Sequence, residues 1–83
     1  MDIEEQITAL RRTYPQLDVL ECALLAILRS GFEGNTLQLG KALETEHALI
    51  LRAAHHLAEQ GLIVVEDMGA RSGKKRLRAL EVG

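Results

Sequence analysis

The sequence predicts a small α+β domain, mostly α, in which about four helices lead into a two-stranded β-hairpin. Three observations predict it. Apolar residues make up 47% of the 83 residues, yet Tyr and Phe occur once each, so the core is built from Leu, Ile, Val and Ala, a composition that suits helices packed on helices. Leu39 and Leu43, and then Ile50, Ala53, Ala54 and Leu57, recur at helical spacing on either side of Glu44-Thr45-Glu46, which leaves room only for a tight turn. Gly61 follows as a stop, and Leu62-Ile63-Val64-Val65 is a run of β-formers. Two short helices around a sharp turn, then a glycine and a strand, make a helix-turn-helix that enters a hairpin.

Taken in order, residues 2–12 read as an N-terminal helix with a narrow stripe of Ile3, Ile7 and Leu10. Asp2, Glu4 and Glu5 stand near its N-terminus and Arg11 and Arg12 near its C-terminus, as the helix dipole favours. The stripe either covers the domain's own core or packs on a second copy to make a homodimer. Thr13-Tyr14-Pro15 ends this helix, because the residue before a proline is pushed out of the α region.

Asp18 is the expected N-cap of a second helix, Val19 to Arg29, with Glu21 as its capping-box partner. Leu20, Ala23, Leu24, Ile27 and Leu28 give that helix a wide apolar face and make it the central core helix. Cys22 lies inside it and reads as a small buried hydrophobe. Gly31 is expected to end the helix in the left-handed region, and Phe32 to plug the corner that follows. Asn35 or Thr36 caps a third helix, Leu37 to Leu43, in which Gly40 allows a close helix approach at a cost of roughly 1 kcal/mol against Ala. A fourth helix begins at Thr45 or Glu46 and runs to Gln60. The strands are expected at Leu62–Val65 and Arg76–Val82, joined by a glycine-containing turn over Asp67 to Gly73.

The length fits one domain over residues 1–83: the helix at 2–12, a helical core at 19–60 with the helix-turn-helix at 36–60, and the hairpin at 62–82. The formal net charge is −2, but its distribution matters more than its sum. Arg71, Lys74, Lys75, Arg76 and Arg78 stand together with no acid among them, against a more acidic N-terminal half. A single cysteine permits no disulfide within one chain. The opening Asp2-Ile3-Glu4-Glu5 lacks the pattern of a secretory leader, and no apolar run approaches the roughly 20 residues needed to span a bilayer. A cytoplasmic protein with no membrane segment is the expectation.

From about Val19 onward the chain resembles a winged helix-turn-helix domain. The resemblance rests on Leu39, Leu43, Ile50, Leu57, Gly61, Leu62 and Ile63, followed by a hairpin with basic residues. It is similar to the DNA-binding part of MarR-like regulators and to small stand-alone regulators of the fimbrial type. The resemblance implies a DNA-binding transcriptional regulator. Residues 36–43 would lie across the groove and residues 47–60 would enter the major groove, where Thr45, Glu46, His47, Leu49 and Arg52 would reach base edges. Arg71, Lys74, Lys75 and Arg76 would form the tip of the wing, on phosphates or in the minor groove. Double-stranded DNA is the implied partner, with a homodimer through the N-terminal helix presenting two such helices.

The residues leave a second reading open. Leu49 and Leu51 cannot both face the core if Ile50 does, and an exposed leucine on that face suits a protein partner, which makes a winged-helix protein–protein interaction module the alternative. No cofactor, metal or catalytic site is expected. His47 and His55 are two helical turns apart, too far to chelate one ion together, and His55 and His56 point about 100° apart. Gly69 to Lys75 lacks the spacing and the strand-to-helix context of a phosphate loop. An enzyme is not expected.

Overall fold

The computed structural model describes residues 3–32, 35–67 and 75–80. Four helices come first: α1 (Ile3–Thr13), α2 (Val19–Arg29), α3 (Thr36–Ala42) and α4 (His47–Glu59). Two strands follow, β1 (Ile63–Asp67) and β2 (Lys75–Ala79), paired antiparallel with Val65 opposite Leu77. The domain is therefore α+β and mostly helical.

α2 is the centre of the molecule. Asp18 caps it as its residues require: Asp18 Oδ1 accepts from the Glu21 N–H at 2.8 Å, and Glu21 Oε1 accepts from the Asp18 N–H at 2.9 Å. Gly31, with φ +96°, turns the chain out of the helix through the left-handed region that only glycine enters without strain. The buried face differs from the expected one. Leu24 and Leu28 are buried, but so are Cys22, Leu25, Ala26 and Glu21, whereas Leu20, Ala23 and Ile27 are only half-buried. The reason is that α1 covers one side of α2 while α4 and β2 cover another, and the side left over, with Leu20, Ala23 and Ile27 half-buried and Val19 53% exposed, is itself apolar. A helix without a polar stripe gives periodicity nothing to set the phase of its buried face.

The other elements pack around it. Leu10 of α1 is buried and Ile7 packs against the core, while Ile3 remains 40% exposed. Leu39, Ile50, Ala53, Ala54 and Leu57 carry α3 and α4 into the same core, as their spacing predicts, and Leu62, Ile63 and Leu77 close it from the hairpin. Phe32 is half-buried against it.

Several boundaries differ from those expected. α3 begins one residue earlier, at Thr36, because Asn35 caps it in a reciprocal box with Gln38: each side chain accepts from the other's backbone N–H at 2.9 Å. β1 extends past the last apolar residue to Asp67 and β2 starts at Lys75 rather than Arg76, because the ladder continues where Glu66 stands opposite Arg76. Opposite charges facing each other across a ladder support pairing that hydrophobicity alone does not signal. β1 starts at Ile63 rather than Leu62 and α3 ends at Ala42 rather than Leu43, while β2 stops at Ala79, short of the expected Val82, with Leu80 already outside the strand. The expected start at Asp2 and most of the expected turn lie outside the described residues.

Cys22 is fully buried. Loss of solvation pushes its thiol above the ordinary value of 9.0, with Arg11 opposing and Asp18 and Glu21 adding to the rise. The folded core thus holds the neutral thiol, and this contribution to stability is complete below the ordinary value and erodes as pH rises through it. In the native protein Cys22 is expected to react with a water-soluble thiol reagent at pH 8 at least about a hundred times more slowly than in denaturant, since the thiolate is the nucleophile and burial withholds it. Equal rates in the two states would show that the core opens readily.

Candidate nucleic-acid interface

The candidate surface is built on the corner between α3 and α4. Leu43 ends α3, and Glu44 then takes φ +52°, the left-handed conformation that reverses the chain in a few residues. The Thr45 N–H returns to the Gly40 carbonyl at 2.8 Å, and Thr45 Oγ1 donates to the Leu43 carbonyl at 3.0 Å. Gly40 makes this possible, because a Cβ there would stand 2.9 Å from the Thr45 carbonyl oxygen. The close approach expected of this glycine is therefore backbone against backbone.

α4 leaves the corner with Glu46 as its N-cap, although the Glu46 side chain makes no capping bond. With Ile50, Ala53, Ala54 and Leu57 inward, helical geometry turns Ala48, Leu49, Arg52, His55 and Glu59 outward, and all five are exposed. Leu49 is 42% exposed and Leu51 half-buried, which resolves which of the two leucines the outer face must carry.

The three histidines of α4 have three different partners. His55 Nε2 lies 3.0 Å from Glu59 Oε1, one turn along the exposed face. His56 Nδ1 meets Glu21 Oε2, joining α4 to the buried cap of α2. His47 Nε2 lies 2.7 Å from Thr36 Oγ1, at the buried start of α3.

Thr36 ties this corner to the hairpin. Its side chain is fully buried, and the same Oγ1 accepts the Lys75 N–H at 3.1 Å. Beside it, Asn35 forms an isolated antiparallel bridge with Arg76. The first residue of α3, the first residue of α4 and the first residue of β2 thus converge on one hydroxyl.

The site residues named from the sequence are placed as follows. Glu46, Leu49, Arg52 and Arg76 are exposed; Thr45 and Lys75 are half-buried; His47 is half-buried with its ring on Thr36. Arg71 and Lys74 lie outside the described residues. Arg78 is exposed and lies 3.5 Å from Glu66 across the hairpin. Sequence reasoning missed the joining role of Thr36 and the second role of Glu21. Each was legible only as part of a helix cap, the nearest available signal being a polar residue at a helix start. Their further partners lie 11, 39 and 35 residues away.

No helix among the described residues is long and apolar enough to cross a membrane. Comparison with protein-family models, with curated proteins and with solved structures found no match to this chain.

Proposed function

We propose that this chain is a winged helix-turn-helix, DNA-binding transcriptional regulator, with α4 in the major groove and the cationic hairpin on the DNA backbone. The observation that carries the reading is the convergence of α3, α4 and β2 on Thr36. It attaches the exposed face around Arg52 and the hairpin residues Lys75 and Arg76 to one buried point, so groove-facing and phosphate-facing groups belong to a single rigid unit. Arg52 has the fork of donors that pairs with the O6 and N7 acceptors of guanine. Arg71, Lys74, Lys75 and Arg76 supply charge for phosphates, which hold the protein in register without reading sequence. Ile3, the exposed end of the α1 stripe, is the part of that stripe left for a second copy of the chain, whose two α4 helices would enter successive major grooves.

Titration of the protein into fluorescent mixed-sequence duplex at two salt concentrations tests the reading. Four phosphate contacts give a slope of log K against log salt of about −3.6. Replacing Arg71, Lys74, Lys75 and Arg76 together by Ala is expected to bring the slope close to zero and remove nonspecific binding. A wild-type protein that fails to bind duplex at low salt would overturn the proposal.

The exposure of Leu49 supports a second reading, a protein–protein interaction module that uses the outer face of α4. Under it, Leu49→Glu blocks a partner's capture, leaves the fold intact, and DNA is not a ligand.

A further inference from the structure

We propose that Thr36 is a positioning residue that holds the hairpin in register with α4, so that both engage one duplex together; this rests on the DNA-binding reading. The argument starts from the valence of a hydroxyl, which has one proton to give and two lone pairs. The Lys75 N–H can only donate, so it occupies a lone pair of Thr36 Oγ1 at 3.1 Å. The same Oγ1 lies 2.7 Å from His47 Nε2, where it can give its proton to the ring or take the ring's on its second lone pair. Buried polar groups need partners, and this arrangement satisfies the hydroxyl, the amide and the ring nitrogen at once. Asn35, paired with Arg76, holds the next residue of β2 to the same point.

The consequence for binding follows from where these groups sit in the chain. Lys75 and Arg76 are the first two residues of β2, so the bond to the Lys75 amide and the Asn35 bridge hold the cationic start of that strand. His47 is the first residue of α4, the end assigned to the groove. A hydroxyl bonded to both sets the distance between the start of α4 and the cationic start of β2. Two contacts held at a fixed spacing bind far more tightly than two joined loosely, because the second then forms without a further loss of freedom.

Thr36→Val removes the hydroxyl at nearly constant volume, and Thr36→Ser restores it. In Thr36→Val, hydrogen exchange at the Lys75 amide is expected to accelerate at least tenfold, with the core amides of α2 unchanged. Duplex affinity is expected to fall about tenfold and the salt slope to lose about one phosphate, with both restored in Thr36→Ser. A general loss of packing would instead accelerate exchange throughout and would not be rescued by Ser. If the Val variant does not fold, Thr36→Ala, which places no extra methyl against His47 and Lys75, takes its place. Unchanged Lys75 exchange, or wild-type affinity and slope in the folded variant, would overturn the positioning role alone. Failure of the wild-type protein to bind duplex would instead overturn the DNA-binding reading, and the positioning role with it.

Discussion

Gly40→Val is expected to lower the thermal unfolding midpoint by about 10–20 °C. A Cβ at this position would lie 2.9 Å from the Thr45 carbonyl oxygen, and the obstacle is backbone, which cannot rotate aside as a side-chain tip can. Forcing extra atoms into such a contact costs about 1–3 kcal/mol, and valine, with two methyl groups beyond Cβ, falls at the upper end. Helix propensity offsets only part of this, since Gly→Ala gains about 1 kcal/mol and a β-branched residue gains less. For a domain of this size each kcal/mol moves the midpoint by about 4–8 °C. Gly40→Ala is therefore expected to fall between Val and wild type, where the propensity gain and the clash nearly cancel. Calorimetry on the three proteins decides the matter: a Val variant as stable as wild type would mean that α3 and α4 separate freely.

Glu21→Ala is expected to cost about 2–4 kcal/mol in urea unfolding. The Glu21 side chain is 7% exposed and holds two partners from different parts of the chain, the Asp18 N–H and His56 Nδ1. Its removal takes away half of a capping box and leaves the part-buried Asp18 N–H and a half-buried ring nitrogen without their partner, on top of the volume lost. Glu21→Gln is expected to cost roughly half as much, about 1–2 kcal/mol, because the amide oxygen can still accept while the charge is gone. A loss below about 0.5 kcal/mol in the Ala variant would mean that water replaces the carboxylate at no net cost, as happens for exposed pairs.

These two sites show what the sequence makes legible. Asp18 and Glu21 lie within one helical turn, so the start of α2 could be read from four residues, and the glycine at position 31 marked its end for the same local reason. The inward stripe of α4 was legible because Ile50, Ala53, Ala54 and Leu57 repeat at the period of a helix covered on one side. The face of α2 was not, because a helix covered on several sides has no polar stripe to set the phase. The strand ends were misplaced for a related reason: Glu66 is a poor β-former by composition, and its partners, Arg76 opposite and Arg78 at 3.5 Å, come from the other strand of the hairpin. At the candidate site, the exposed positions of Arg52 and Leu49 follow from helix geometry once Ile50 is fixed. The pairing of Thr36 with His47 and Lys75 does not, because it is set by how α3, α4 and β2 come to rest on one another.

The α3–α4 corner also bears on any molecule that meets it. Its angle is fixed where one main chain rests on another, so rotamer changes in the surrounding side chains cannot widen or narrow it. Adaptation at this surface then falls to the other party: a stiff ligand of the wrong curvature is refused, and a pliable one is bent to match.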